Sequence, residues 1–463
     1  MIAFDNSYAR LPDRFYTRLP ATPVKEPTLR AWNNDLATQL GISLTDAEKA
    51  QVFGGNSTPE GADPLAALYA GHQFGNWNPQ LGDGRAILLG EVIDAHGQRQ
   101  DIQLKGSGPT PYSRMGDGRN WVGPALREYL VSEAMHALGI PTTRALAIVT
   151  TGETVLREAA LPGAVVTRVA PSHIRVGTFQ VFAARQDKEA LEALFTHVTE
   201  RHYPDAKTPE AFLQAVTDAQ AELIAKWMAV GFIHGVMNTD NAHVAGITID
   251  YGPCAFMDAY HPAKVFSSID QTGRYAYANQ PGIAAWNMAQ LATSLLPLEE
   301  NRDAAIDRFT EIVNSFANSY QSAWRGAFGA KLGIVADTDD AVALISDLLT
   351  MMTDEKADFT NTFSALGNDP ATAPCAEHTD FSTWLSRWKA LKPDIAQMRA
   401  TNPEIIPRNH LVEEAIQSAV YDSWEPFHAF HAVLQTPFTL PEDPRYTTPP
   451  TPEEEVRQTF CGT

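Results

Sequence analysis

The chain is poor in cysteine, in basic charge and in long apolar runs, and each shortage removes a class of protein. Only three cysteines occur in 463 residues, Cys254, Cys375 and Cys461. They are far apart, odd in number and without metal-ligand spacing, so neither a disulfide scaffold nor a cysteine metal site follows, and a reducing compartment is expected. Lysine and arginine number 35 against 55 acidic residues, a formal charge of −20. That balance argues against gripping a nucleic-acid backbone, so any polyanionic ligand must be met by local cations or a metal. No apolar run approaches the ~20 residues of a spanning helix. The opening MIAFDNSYARLPDRFY has neither an apolar signal core nor an Arg/Ser-rich presequence. A soluble cytoplasmic protein with no nucleic-acid or membrane partner is the expectation, and no internal repeat is visible.

What is present suits a large globular protein: 44% of residues are hydrophobic, enough for two or three domains or lobes. Residues 1–60 read as an extension wrapping a later domain, with a helix over 29–40 closed by Gly41. Residues 86–93 and 101–105 read as two strands of a hairpin around Ala95-His96-Gly97. Gly82-Asp83-Gly84-Arg85 precedes the first strand and Lys105 ends the second. A second loop, Gly116-Asp117-Gly118-Arg119, leads to a helix opening near Pro124 and ended by Gly139 and Pro141, with Glu128 on its polar side. Strands follow at 145–150 and 164–169, with Arg168 on the second and Arg175 beyond it. From about residue 188 the pattern turns helical. Its clearest helix, 209–230, buries a stripe from Phe212 to Val230 and delivers the chain into His234. More helices are expected over 283–398 and again before a proline-rich tail, which should be mobile unless something ties it down.

The chemistry concentrates in HGVMNTDNAHVAGITIDYG, residues 234–252. Asn241 and Asp250 are nine positions apart, and a short hairpin is expected to fold them together. Two hard oxygen donors suit Mg²⁺, which completes its shell with phosphate oxygens and water. Glycine turns let backbone N–H groups approach phosphates, and paired arginines fork onto them. Each feature alone has a plainer meaning: an Asx turn, a hairpin turn, a solvated glutamate, two surface arginines. Their order, however, is that of a protein kinase: glycine-rich hairpin, strand lysine, helix glutamate, then an Asn and an Asp for the metals. A kinase places its base five residues before that Asn. Here that position is Val236.

Several long stretches now carry a resemblance: YAGHQFG, QLGDGRAILLGE, QLKGSGPTPYSRMGDGR, REYLVSEAMHALGIPTTRAL, HGVMNTDN, IDYGP and IIPRNH. Over nearly its whole length the chain resembles the selenoprotein O (YdiU) family of pseudokinase-fold protein adenylyltransferases. The resemblance implies an α+β, kinase-like two-lobe fold: an extension over 1–60, an N-lobe over 61–180, a helical C-lobe over 181–430 and a tail over 431–463. It implies AMP transfer from ATP to Ser, Thr or Tyr hydroxyls of protein substrates, with Mg²⁺, or Mn²⁺ in its place. Gly82, Gly84, Arg85, Asp117 and Gly118 would contact the nucleotide from the two glycine loops. Lys105 would bind phosphate and pair with Glu128, and Arg168 and Arg175 would clamp phosphates. Asn241 and Asp250 would hold the metal, Asp250 also contacting the nucleotide, and Asp240 would accept the proton. The sequence departs from the family in two places. Phe266 stands where some members carry a cysteine that pairs with a C-terminal one, leaving Cys254 as the other candidate partner for Cys461. GRNWVGPALRE also differs from the usual approach to the Glu128 helix. The competing functions are an atypical kinase and a nucleotide-binding interaction module.

Overall fold

A computed structural model describes residues 2–460; Cys461, the candidate redox residue, lies outside them. The strands are β1 Tyr16–Arg18, β2 Thr28–Trp32, β3 Leu65–Ala67, β4 Gly71–Gln73, β5 Asn76–Asn78, β6 Ala86–Ile93, β7 Arg99–Lys105, β8 Asn120–Trp121, β9 Arg144–Leu156, β10 Ala160–Ala170, β11 Phe232–Ile233 and β12 Ala255–Phe256. The main sheet runs β1-β3-β6-β7-β10-β9-β2, with β8 paired to β10. Every pairing is antiparallel. The fold is therefore α+β, with strands concentrated before residue 171 and helices after it.

Both faces of this sheet are covered, and the pleat decides which side chain goes where. Ala145 and Ile148 of β9 and Ala164 and Val166 of β10 face one core. That core is shared with α3 (Val122–Ala137) and with two helices from far along the chain, Asn409–Val420 and Glu425–Leu434. Leu146 and Val149, Val165 and Val169, with Ile102 and Leu104 of β7, face the opposite core. There they meet α1 (Asn34–Gln39) and α2 (Asp46–Phe53). The helix expected over residues 29–40 is thus two elements. Thr28–Trp32 pairs with β9, where Leu29 and Trp32 pack on the sheet. Asn33 then accepts from Leu36 N at 3.0 Å and starts α1. An apolar run of this length fits either state, and the unpaired edge of β9 settles it.

Beyond the sheet come α4 (Val176–Ala184), α5 (Lys188–His202) and α6 (Pro209–Ala229). Thr208 accepts from Ala211 N and Pro209 opens α6, the N-terminal signature that the stripe required. Together with α7 (Gln280–Leu295) and α8 (Arg302–Lys331), these helices build the largest core. The hairpin expected between Asn241 and Asp250 is absent. The pairing strands are β11 and β12, outside the segment. Inside it the chain is irregular, held by bridges from His243 to Arg175 and from Thr248 to Thr142. The tail is tied down as well: Thr459 is buried, its N–H donates to Phe266 O at 2.8 Å and its hydroxyl to Pro253 O at 2.6 Å.

Candidate functional site

Strand β7 places Asp101, Gln103 and Lys105 on one face and Ile102 and Leu104 on the other, and all five are buried. The polar face therefore meets protein rather than solvent. Lys105 Nζ donates to Glu128 Oε2 at 2.6 Å and to Asp250 Oδ1 at 2.8 Å. Glu128 is 2% exposed because α3 is covered nearly all round, not split into wet and dry faces as its sequence suggests. On neighbouring β10, Arg168 stands opposite Gln103 in register. It donates to Gln103 Oε1 (3.1 and 2.6 Å), to Glu128 Oε1 (3.3 Å) and to Asp250 Oδ1 (2.8 Å). Arg168 is fully engaged by protein.

Arg175, just before α4, differs. It is 1% exposed and lies over the Tyr69 ring at 4.5 Å. Its nearest carboxylate contacts, Asp83 and Asp250, are each at 3.6 Å. Its Nε and Nη1 have no hydrogen-bond partner, an arrangement that costs stability unless a ligand supplies acceptors. Burial alone would push Asp250 up, but Lys105, Arg168 and Arg175 outweigh it and hold its carboxyl well below the usual range. Asp250 also has φ +66°, a left-handed conformation rare for a residue with a Cβ and characteristic of functional sites.

The turn Thr239–Asn241 carries the other two oxygen donors. Asn241 Nδ2 donates to Val236 O at 2.9 Å, leaving Oδ1 without a hydrogen bond among the described residues. Asp240 is 8% exposed, and burial raises its carboxyl to about 6 against the pull of Gln73 and Arg175. Gln73 Nε2 donates to Oδ2 at 3.0 Å, while Oδ1 has no partner. Nowhere among the described residues do three or more His, Cys, Asp or Glu side chains form a ready metal cage. Asn241 Oδ1 and the Asp250 Oδ2 edge instead offer two hard oxygens, the donor set of a Mg²⁺ that shares its shell with phosphate.

In the first glycine loop a Cβ on Gly82 would lie 2.6 Å from the Tyr112 ring, and one on Gly84 2.8 Å from Tyr112 O. The loop is thus pressed onto residues 110–113, where the Thr110 hydroxyl donates to Asp83 O at 2.8 Å. In the second loop Arg157 clamps Asp117 at 2.8 and 3.0 Å. Every site residue named from the sequence except Glu128 lines one cavity of about 540 Å³. A hollow of about 660 Å³ beside the end of α8 is lined by residues such as Asn318, Arg325 and Asp337 and gathers no comparable charge.

Sequence reasoning missed several residues of the site. Tyr69, Gln73, Asp83, Tyr112 and Arg157 all line the cavity, and Gln103 fixes both Asp83 and Arg168. The alternation of β7 could have flagged Gln103, and YAGHQFG contains Tyr69 and Gln73. Arg157 sits where β9 gives way to β10, with no local signal.

A family model described as Protein adenylyltransferase SelO matches residues 1–435. The chain belongs to the SelO family. It is 60% identical to the Protein nucleotidyltransferase YdiU of Jannaschia sp. (strain CCS1), covering 99% of each chain. It is 59% identical to that of Ruegeria sp. (strain TM1040), covering 100% of this chain and 99% of the relative. Membership in the SelO family makes this chain a nucleotidyltransferase, with ATP as the nucleotide substrate. No described helix is long and apolar enough to cross a membrane.

Proposed function

We propose that this SelO-family chain transfers AMP from ATP to Ser, Thr or Tyr hydroxyls of protein substrates in the cavity between β7, β10 and the 236–252 segment. The observation that carries this reading is Arg175: a buried guanidinium with two unpartnered nitrogens, beside Lys105 and Arg168, in a cavity large enough for a nucleotide. In this proposal residues 61–180 act as the N-lobe of a kinase-like fold, residues 181–430 as the C-lobe, and residues 1–60 and 431–463 as extension and tail.

Asp240, whose carboxyl is held through Oδ2 by Gln73 at the cavity, accepts the proton of the acceptor hydroxyl. The hydroxyl oxygen forms a bond to the α-phosphorus of ATP, and the bond from that phosphorus to the bridging oxygen breaks. Pyrophosphate leaves with the electron pair, and the acceptor keeps the adenylyl group. Negative charge grows on the pyrophosphate side, where Lys105 and Arg175 stabilise it. Arg168, bonded to Gln103, Glu128 and Asp250, holds the frame rather than the phosphate. Asn241 and Asp250 would hold Mg²⁺, with Mn²⁺ as the alternative, and the ion would supply further neutralisation of the phosphate oxygens. The glycine loops, with Arg85, Asp117 and Gly118, hold the remainder of the nucleotide.

Parallel incubations with casein and ATP labelled on either the α- or the γ-phosphate test the reaction. Retention of α-label on casein, lost on chelation of divalent metal, is the expected result. Transfer of γ-label alone would make the protein a kinase and overturn the reading.

A further inference from the structure

The hairpin of β4 and β5 has no role in the reaction so far, yet it is fastened to the 238–240 turn by three consecutive residues. His72 N–H donates to Thr239 Oγ1 at 2.7 Å, Gln73 Nε2 to Asp240 Oδ2 at 3.0 Å and Phe74 N–H to Asn238 Oδ1 at 3.0 Å. Each outer fastening is backed by another group. Gln180 bridges the His72 ring (2.9 Å) and the Thr239 hydroxyl (2.6 Å). The Tyr275 hydroxyl donates to the same Asn238 oxygen at 2.6 Å. The hairpin and the turn are therefore one rigid unit.

Within this unit Asp240 has little freedom. A Cβ on Gly71 would lie 2.7 Å from Asp240 Oδ1 and 3.1 Å from its Cγ, so the bare backbone of Gly71 forms one wall of the carboxylate's slot. Gly177 supplies another: a Cβ there would sit 3.4 Å from Asp240 Cα and 2.1 Å from Ala70 O. The Gln73 amide holds one oxygen, and the other is buried without a partner. Gln73 itself lines the cavity beside Asp240.

The geometry points to Gln73 as the positioning residue that fixes the Asp240 carboxylate, its amide holding Oδ2 while Oδ1 is packed against Gly71. This rests on Asp240 being the proton acceptor of the proposed reaction. An amide suits the task because its N–H₂ donates to the carboxylate without competing for the acceptor's proton as a base would. A carboxylate at residue 73 would repel Asp240, and an apolar side chain would remove the hydrogen bond that holds Oδ2. Orientation errors of this kind affect the chemical step rather than nucleotide binding.

The test measures AMP transfer from α-labelled ATP to casein by Gln73→Met, Gln73→Glu, Asp240→Asn and the double variant Gln73→Met/Asp240→Asn. We expect kcat to fall by about 10–100-fold in both single Gln73 variants, with KM for ATP within about twofold of the parent and melting temperature essentially unchanged. Asp240→Asn falls further, and adding Gln73→Met to it costs nothing more, because no carboxylate remains to be oriented. If Asp240→Asn is inactive while Gln73→Met keeps parental kcat, the inference fails and the proposed base stands. A full multiplicative loss in the double variant, or a loss confined to KM for ATP, would overturn it as well. Parental activity in Asp240→Asn would remove the base and the inference together.

Discussion

Two of the buried charge clusters among the described residues differ in their surroundings, and the one around Arg175 lines the cavity. Around Arg408, 0% exposed, both terminal nitrogens are bonded, to the two oxygens of Asp358 (2.8 and 3.2 Å), Asn361 Oδ1 (3.1 Å), Thr447 O (3.0 Å) and Asp258, and Nε alone lacks a partner. Around Arg175, equally buried, the carboxylates stand back at 3.6 Å and two nitrogens are unbonded. Burial and charge are thus shared by a structural clasp and the proposed nucleotide site. The difference lies in how nearly the protein satisfies its own cations and whether the remainder opens on a cavity. Arg408 joins the helical tail to the segment after Asp250, whereas the unfilled capacity of Arg175 is what the proposed function assigns to a polyanion.

If that contrast is right, the two arginines fail differently. Arg408→Ala strands Asp258 and Asp358 as buried carboxylates and should lower stability by about 3–5 kcal/mol, read by denaturant unfolding. ATP affinity in whatever fraction remains folded should be near normal. Arg175→Ala should lower AMP transfer by about 10²–10³-fold, with little change in the unfolding midpoint, since the protein itself offers that guanidinium only distant partners. An unfolding Arg175→Ala variant, or an inactive but stable Arg408→Ala variant, would erase the distinction.

Another buried cation makes a smaller, pH-dependent case. Lys331 joins none of the ion pairs among the described residues; its ammonium lies over the rings of Phe363 at 4.1 Å and Phe359 at 5.3 Å. Burial lowers its titration from the usual lysine range to about 7. The folded state then binds fewer protons than the unfolded one between about pH 7 and the ordinary lysine value, so stability from this group rises with pH across that window. Lys331→Met should therefore stabilise the protein at pH 7, by about 1–3 kcal/mol, and the advantage should shrink as pH is raised toward 10. A constant difference across that range would contradict it. Least of all, Asn33→Ala should cost about 1 kcal/mol through loss of the α1 cap, with transfer activity unaffected.

The strand lysine, the helix glutamate and the two glycine loops were legible in the sequence because each rests on local pattern: alternation, a helix start, a turn needing glycine. Less legible was whatever depends on distant covering. Glu128 reads as solvated on its own helix, but Lys105 of β7 and Arg168 of β10, from other parts of the chain, meet it and it is buried. Residues 29–40 read as one helix until the free edge of β9 claims their first half. Asn241 and Asp250 reach the same cavity without the expected hairpin, because Arg175 and Thr142 hold the intervening chain from other elements. The hold on Asp240 is non-local too: Gln73 is 167 residues away in the chain, a separation that no spacing rule reaches.

The most direct measurement is the intact mass of casein after incubation with the protein, ATP and Mg²⁺, alongside the Arg175→Ala variant. An increment equal to one adenylyl group, absent with Arg175→Ala, is the predicted result. An increment equal to a phosphoryl group, or adenylylation undiminished without Arg175, would contradict the assignment of this cavity.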